Sequence, residues 1–163
     1  MGVELELGVA NQAEEAEVMV EVFKWKYNDV ANECENVLAA KGYAAVQISP
    51  PAEHIQGSSW WIVYQPVNYK NFTTRSGTEA ELRSMISRCN AVGVKIYADA
   101  VFNQLASGTS TGTGGSSFNS STFTYPAFGY QDFHHAGGLT DYSNRTNVQT
   151  GALLGMPDLD TGS

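Results

Sequence analysis

The chain has 163 residues, of which 42% are hydrophobic and 11% aromatic, and its formal net charge is −8. This length and composition are typical of one globular domain with a packed core and exclude a disordered tail. The acidic balance argues against nucleic-acid partners and anionic membranes, because both need clustered cations, and it suits a neutral ligand such as a polysaccharide or a cationic one.

The amino-terminal residues 1–17 hold five Glu and little aromatic material. We expect them to form a flexible acidic segment that could include a short edge strand at residues 3–7. They lack the charged region and the long apolar region of a signal peptide. No apolar run in the chain approaches the roughly 20 residues that span a bilayer.

The first β-α unit is predicted at residues 18–42. Residues 18–23 are apolar and β-branched and predict a core strand. Asn28 or Asp29 can cap the following helix, and Gly42 can end it. Four apolar residues share one face of that helix: Val30, Cys34, Val37 and Leu38.

The second strand is predicted at residues 43–48, where Pro50 and Pro51 prevent its continuation. Residues 52–76 follow as a long, aromatic-rich loop without secondary structure of its own. Loops of that length are usually functional.

A second helix is predicted to begin at Thr78, because Glu81 three positions later completes a capping box, and to end at Gly93. Its apolar face carries Leu82, Met85, Ile86 and Cys89. The third strand lies within residues 94–104, which are apolar at first and polar at the end. This order of elements predicts parallel strands whose carboxyl ends open onto a site.

Residues 105–122 are rich in Gly, Ser and Thr, and we expect a flexible excursion there because so few hydrophobic residues cannot fold alone. Residues 123–144 are aromatic with interspersed Gly and Pro. We expect them to form an irregular, aromatic-packed region with short strands.

Several polar residues could carry chemistry. Asn103 and Asp158 are a possible Ca²⁺ pair, since this ion takes amide and carboxylate oxygens from remote loops; the commoner use of such residues is to cap a turn and to precede a loop. The histidines His54, His134 and His135 lack zinc-site spacing, and we expect them to be solvated.

The adjacent Trp60 and Trp61 could form a stacking platform for sugar rings, with Tyr64 and Gln65 supplying hydrogen bonds from the same rim. The alternative is that either ring plugs the core. Cys34 and Cys89 are most simply buried thiols, although a disulfide becomes conceivable if their two helices are neighbours. No signature of a serine triad, a phosphate loop or a dinucleotide site occurs.

The chain resembles the amino-terminal part of α-amylases of the animal, chloride-dependent type and their bacterial relatives. The resemblance covers nearly all of residues 18–160 in collinear order and is carried by VEVFKWKYNDVANECENVL, KGYAAVQISPPAEHI, WWIVYQPVNYK, RCNAVGVKIYADAVFNQ, GYQDFH and LLGMPDLD. It implies an α/β fold with the first three strands of a TIM (β/α)₈ barrel in residues 18–104. Residues 105–163 would then form the irregular insertion known in the family as domain B.

The resemblance also implies roles for individual residues. Cys34 and Cys89 match a disulfide pair, Asn103 and Asp158 match calcium ligands with the Gln149 backbone as a third, and Asp99 matches a motif aspartate that supports the active site. Gln104 replaces a histidine that donates to the bound sugar. The substrate-binding positions are Trp60, Trp61, Tyr64, Gln65 and Gln104.

The implied activity is hydrolysis of α-1,4-glucans such as starch and maltooligosaccharides by a secreted protein. The family's catalytic carboxylates lie on strands four, five and seven, beyond Ser163, as do its chloride ligands, so chloride binding is doubtful. For this chain to hydrolyse glucans, two of the three residues Asp99, Asp158 and Asp160 would have to serve as the catalytic carboxylates. The alternative is a non-catalytic glucan- and calcium-binding fragment. Three strands alone leave two open sheet edges, which predicts self-association.

Overall fold

The computed structural model describes residues 18–162. The helices and strands follow in the order β1 (Met19–Val22), α1 (Tyr27–Glu33), β2 (Ala45–Ile48), β3 (Glu53–His54), β4 (Pro66–Asn68), α2 (Glu79–Ala91), β5 (Lys95–Ala98), β6 (Thr109–Thr111), β7 (Ser117–Asn119) and α3 (Arg145–Thr150). The predicted flexible segment 1–17 and its edge strand lie outside the described residues. Among the described residues, no helix is long and apolar enough to cross a membrane.

The main sheet contains three parallel strands in the order β1-β2-β5. Val20 is in register with Val46, which in turn is in register with Ile96. These β-branched side chains pack on the helices, as expected for one covered face of a parallel sheet. The predicted strands, their parallel direction and the α/β fold class are confirmed.

The helix α2 begins as predicted. The Thr78 side chain accepts a hydrogen bond from the Glu81 backbone, and the Glu81 carboxylate accepts one from the Thr78 backbone at 2.7 Å. The predicted cap of α1 at Asn28 or Asp29 is wrong. The helix starts earlier because the Tyr27 N–H is satisfied by the Ser76 carbonyl, and Asn28 instead donates to Glu81.

The two helices are joined by a disulfide between Cys34 and Cys89, whose Cα atoms are 5.2 Å apart. Cys34 lies in a π-helical turn (Cys34–Leu38) that continues α1. The interpretation as free thiols is therefore wrong, and the disulfide implied by the resemblance is present. It lies in the main core between sheet and helices, formed by Val22, Tyr27, Val30, Ala31, Cys34, Leu38, Val46, Ile48, Leu82, Met85, Cys89 and Val94.

The long loop after β2 has secondary structure that the sequence did not reveal. The strands β3 and β4 pair in antiparallel fashion, and the 3₁₀ turn Trp60–Tyr64 lies between them. In this turn Ile62 and Val63 are buried and anchor it to the body of the protein.

The expectation of a flexible excursion at residues 105–122 is also wrong. The strands β6 and β7 form an antiparallel hairpin. Phe118 is buried in it and stacks on Tyr125 at 5.9 Å, and Leu105 and Ala106 at the start of the segment are buried as well, so that three residues supply the burial that holds this polar stretch. A second core results, formed by Val67, Leu105, Ala106, Phe118, Tyr125, Phe133 and Leu159.

Residues 123–144 contribute Tyr125 and Phe133 to this second core, in agreement with the expected aromatic packing. In place of the expected short strands, the described residues there form one 3₁₀ turn (Tyr130–Asp132) and isolated bridges, such as that between Phe133 and Leu159.

Candidate functional site

A cleft of about 780 Å³ opens beside the 3₁₀ turn Trp60–Tyr64. It brings together all five residues predicted for substrate binding and three hydrophobic residues from the carboxyl-terminal part of the chain. Its lining residues are Trp60, Trp61, Tyr64, Gln65, Gln104, Leu153, Leu154 and Met156. We call Trp60, Trp61 and Tyr64 the aromatic platform.

The two tryptophans point outward. Trp60 is 62% exposed and Trp61 is 43% exposed, whereas the next two residues of the turn are buried. Exposed rings of this size are not core residues, so the interpretation as core plugs is excluded. The turn holds two large apolar surfaces at the protein exterior, where a ligand can cover them.

The platform rests on the carboxyl end of the main sheet. Phe23, which follows β1, stacks on Tyr64 and meets the edge of Trp60 with ring centroids 6.5 Å apart. Burial raises the pKa of the Tyr64 hydroxyl, and a hydrogen bond with Asp99 and the charges of Asp99 and Glu21 raise it further. Tyr64 is therefore a neutral phenol that links the platform to the ends of β1 and β5.

Two amide side chains are held at the cleft by the protein. The Gln104 amide nitrogen donates to the Tyr64 carbonyl at 3.0 Å, and the Gln65 side-chain oxygen accepts from the Ser107 N–H at 3.0 Å. Each bond uses one polar atom of the amide and fixes the side chain. Among the described residues, the Gln104 oxygen and the Gln65 nitrogen make no further hydrogen bond.

The opposite wall was missed by the sequence analysis. Leu154 is 86% exposed and has a left-handed backbone with φ of 52°, which is unfavourable for a leucine. Gly155, with φ of 77°, follows it. Strained backbone of this kind is found preferentially at ligand-contacting loops. The only signal in the sequence was a pair of leucines before a glycine, which is too common to single out.

Asn103 and Asp158 are brought together from positions 55 residues apart. The Asn103 amide donates to Asp158 Oδ1 at 2.9 Å, and His134 Nδ1 lies 2.8 Å from Asp158 Oδ2. Asp158 is 2% exposed, and this burial raises the pKa of its carboxyl group, although the bonds to His134 and Asn103 oppose the rise. His134 also approaches Asp160, at 3.4 Å.

The cluster contains oxygen atoms of the kind that calcium binds. These are the carboxylate of Asp158 and the amide oxygen of Asn103, and the ion also accepts backbone carbonyls and water. In the structure both Asp158 oxygens are occupied, one by the Asn103 amide nitrogen and the other by His134. No group of three or more His, Cys, Asp or Glu with metal-site spacing occurs within residues 18–162. Gln149, whose backbone the resemblance implies as a third ligand, is exposed on α3, and no hydrogen bond links it to Asn103 or Asp158 in the described part of the chain.

The candidate catalytic carboxylates have different surroundings. Asp99 contacts Tyr64 of the platform, whereas Asp158 is buried and bonded through both oxygens. Among the described residues, the lining of the cleft includes no carboxylate. The cleft is thus equipped to bind a ligand with apolar faces and hydroxyl groups, and it lacks an acid-base pair of its own.

The expectation of solvated histidines is wrong for His54, which is 0% exposed. Its Nδ1 lies 2.7 Å from the Ile55 carbonyl, and its Nε2 accepts from the Arg75 N–H at 3.3 Å. Burial lowers the pKa of this imidazole, and the charge of Arg75 lowers it further. The ring is therefore neutral and satisfied by the backbone, which no spacing rule in the sequence could indicate.

Comparison with curated proteins finds close sequence similarity to α-amylases. The chain is 65% identical over 147 residues to an α-amylase of Aeromonas hydrophila, in a match that covers 90% of this chain and 33% of that protein. It is 46% identical over 165 residues to an α-amylase of Tribolium castaneum, covering 98% and 34%. No protein-family model matches the chain.

Solved structures agree. The α-amylase I of Eisenia fetida, described as a mutant in complex with maltohexaose, is similar with a TM-score of 0.85 and 39% identity over 89% of this chain and 32% of that one. An α-amylase of Geobacillus thermoleovorans matches with a TM-score of 0.67 at 15% identity, over 91% and 34%, and supports the fold alone. The chain spans about a third of the length of the curated relatives it matches.

Proposed function

This chain belongs to the α-amylase family, and from that premise we propose that it acts on α-1,4-glucans such as starch and maltooligosaccharides, which it binds in the aromatic cleft. The part of the activity that the chain's own residues support best is glucan binding. Cleavage of the glycosidic bond, the reaction implied by the resemblance, needs further groups.

The observation that carries this proposal is the pair of exposed tryptophan rings beside fixed amides. The faces of glucose rings carry C–H groups that stack on aromatic rings, and the hydroxyl groups at their edges need hydrogen-bond partners. Gln65 and Gln104 supply an amide donor and a carbonyl acceptor next to the platform. A relative 39% identical in sequence is described in complex with maltohexaose, which is the ligand class we assign.

Catalysis by the chain alone is the weaker part of the proposal. Retaining glycoside hydrolysis uses two carboxylates about 5 to 5.5 Å apart, one as nucleophile and one as acid and base. Of the three candidates, Asp99 has a contact to the platform, while Asp158 and Asp160 surround His134. The absence of a carboxylate among the described lining residues favours the alternative of a non-catalytic glucan- and calcium-binding unit.

We extend the proposal to calcium, held by Asn103 and Asp158 with the Gln149 backbone as a further ligand. When bound, the ion would supply a positive charge to the buried Asp158 carboxylate and crosslink two segments that are 55 residues apart. Its role would be structural, because both side chains lie outside the cleft lining.

We also propose secretion and self-association. A buried disulfide is typical of proteins that fold in an oxidising compartment, which supports an extracellular location. Among the described residues, β1 and β5 each pair with β2 on one side and with no strand on the other. Open edges of this kind attract another strand, and a second copy of the chain can provide one.

The proposal is tested by titrating the purified chain with maltohexaose and following tryptophan fluorescence. Trp60→Ala and Trp61→Ala should each weaken binding about tenfold or more, as expected for loss of a central aromatic contact. Trp25→Phe, a conservative change outside the cleft lining, is the matched control and should bind normally. Glucan affinity that is absent in the wild type, or unaffected by both alanine substitutions, would contradict the assigned site.

Hydrolysis is tested separately, by release of reducing ends from soluble starch by rigorously purified protein. Asp99→Asn should abolish any activity that belongs to the chain, and Asp158→Asn tests the second candidate. Activity that persists in both variants would exclude these carboxylates. Binding without hydrolysis would establish the alternative of a non-catalytic unit.

A further inference from the structure

We propose that Glu53 is a positioning residue for the aromatic platform: it fixes the hairpin loop, residues 112–116, against the strand pair that carries the platform. This inference rests on the proposed glucan binding at the cleft. It assigns a function to a buried carboxylate that is outside the cleft lining and outside the proposed calcium pair.

Glu53 is 0% exposed and is held by the backbone of the hairpin loop. Its Oε1 accepts hydrogen bonds from the N–H groups of Gly114 and Ser116, both at 2.9 Å. Within residues 18–162, its Oε2 has no hydrogen-bond partner. Because a buried carboxylate is unfavourable unless it is hydrogen-bonded, the position of this side chain depends on the position of the loop, and the reverse also holds.

The loop approaches Glu53 so closely that only glycine fits. A Cβ atom added to Gly112 would lie 2.5 Å from Glu53 Oε1. Two further contacts join the same loop residue to the chain that leads to the platform: Ile55 forms a bridge with Gly112, and the Gln56 side chain donates to its carbonyl at 3.2 Å. The hairpin loop therefore contacts Glu53, Ile55 and Gln56, which form the first part of the chain that leads to the platform.

Neighbouring bonds close the base of the platform loop. The Thr113 N–H donates to the His54 carbonyl at 2.9 Å, and the Arg75 N–H donates to the His54 ring. Glu53 and His54 form β3, which pairs with β4, so the platform turn lies within a closed loop of chain. At the base of this loop Glu53 binds the hairpin loop through its side chain, and so does its β4 partner Asn68, which donates to Ser116 Oγ at 3.0 Å.

The platform depends on this base for the part of its anchorage that the main sheet does not supply. Ile62 and Val63 of the turn are buried and Tyr64 stacks on Phe23, whereas the rings of Trp60 and Trp61, which follow β3 along the chain, are exposed. If the base loosens, the platform is in its binding geometry for a smaller fraction of the time. The apparent dissociation constant then rises in inverse proportion to that fraction.

The test compares Glu53→Ala with Glu53→Gln. The alanine removes the acceptor for both loop N–H groups, and we expect about tenfold weaker binding of maltohexaose, equivalent to a platform ordered for about a tenth of the time. The glutamine keeps a carbonyl oxygen in the same place, and its affinity should stay within about twofold of the wild type. Gly112→Ala, whose Cβ would push the loop away from Glu53, provides a second variant, and we expect it to lose as much affinity as Glu53→Ala.

Thr78→Ala is the control for stability. It removes the capping box of α2 and lowers the unfolding midpoint away from the cleft, and it should leave the affinity unchanged. If Glu53→Ala and Gly112→Ala bind maltohexaose as the wild type does, or if Thr78→Ala loses as much affinity as they do, Glu53 does not position the platform.

A readout without glucan separates this inference from the proposed function. In a Trp25→Phe background, iodide quenching of fluorescence reports the exposure of Trp60 and Trp61 alone. Quenching should increase in Glu53→Ala and stay at the wild-type value in Glu53→Gln. A wild type that fails to bind maltohexaose contradicts the proposed function, whereas identical quenching in all three proteins contradicts the positioning role.

Discussion

The ring of Phe23 stacks on the ring of Tyr64, with centroids 6.2 Å apart and an interplanar angle of 14°. Phe23 follows β1 directly, and Tyr64 ends the 3₁₀ turn that carries the tryptophans. Stacked pairs contribute about 0.5–1.5 kcal/mol beyond the area they bury. The aromatic platform is thus fixed to the carboxyl end of the main sheet through Tyr64, whereas the hairpin contacts the chain that precedes it, at Glu53, Ile55 and Gln56.

Replacing Phe23 with Leu keeps the apolar volume and removes the stacking partner. We expect maltohexaose affinity to fall severalfold, corresponding to about 1 kcal/mol, because Tyr64 and Trp60 lose a fixed neighbour. Fluorescence titration measures the change. Tyr142→Leu, which alters an exposed aromatic ring outside the cleft lining, is the control, and an equal loss in both variants would show that the stack has no special role.

Loss of the disulfide should destabilise the fold. Cys34 and Cys89 close a long loop between two helices inside the main core, and a crosslink of this length contributes about 2–4 kcal/mol by restricting the unfolded chain. Urea unfolding of the wild type with and without a reducing agent measures this contribution. In the double variant Cys34→Ala/Cys89→Ala the reducing agent should have no effect, and a wild-type midpoint insensitive to reduction would contradict the prediction.

His54 predicts a decline of stability in mild acid. Burial lowers the pKa of its imidazole below the ordinary value of 6.5 that applies to the unfolded chain. The folded state therefore favours the neutral His54 ring. The contribution of this ring to the free energy of unfolding is complete above pH 6.5 and is lost as the pH falls below that value towards the folded-state pKa. Thermal unfolding midpoints at about pH 7.5 and 5.5 should differ by less in His54→Gln than in the wild type. His135→Gln, at an exposed histidine, should keep the wild-type difference; an equal difference in all three proteins would exclude His54 as the cause.

The main sheet and its helices could be predicted from the sequence because their signals are local. Apolar runs marked the three parallel strands, and Thr78 with Glu81 marked the start of α2. The start of α1 was misplaced because a tertiary bond from Tyr27 to the Ser76 carbonyl decides it. The capping propensity of Asn28 gives no information about this bond, because Ser76 lies 49 residues after Tyr27 in the chain.

The hairpin and the buried polar residues could not be predicted, since each depends on a remote partner. Phe118 folds a polar stretch because Tyr125 lies against it, and Glu53 is buried because the hairpin loop directs two N–H groups at it. The amino-acid composition gives the number of hydrophobic residues but not which residues contact each other in the fold. At the cleft, adjacent tryptophans gave a sequence signal, whereas Leu154 depends on a backbone conformation that no residue pattern encodes.

Calcium should raise the unfolding midpoint if Asn103 and Asp158 hold it. An ion that binds only the folded state stabilises it by mass action, by about 2.7 kcal/mol at a hundred times the dissociation constant. Differential scanning fluorimetry with calcium and then with EDTA measures the shift. Asp158→Asn should abolish most of it, and Asp141→Asn, at an exposed aspartate, should not. A wild-type midpoint that moves with neither reagent would remove the metal from the proposal.

The outer edge of β5 should mediate self-association. The Lys95 N–H donates to the carbonyl of Ala44, which precedes β2, and the Asp99 N–H donates to the carbonyl of Ile48 in β2. Because successive N–H groups along a strand point to opposite sides, the N–H of Ala98 points to the outer edge. Ala98→Pro removes that donor and places a ring where another strand would pair. We therefore expect light scattering to give a mass that increases with protein concentration for the wild type. Ala98→Ser, which keeps the N–H, should behave in the same way, whereas Ala98→Pro should have the mass of a monomer at all concentrations. A monomeric wild type, or a proline variant that associates as strongly as the serine variant, would mean that the edge is covered in another way.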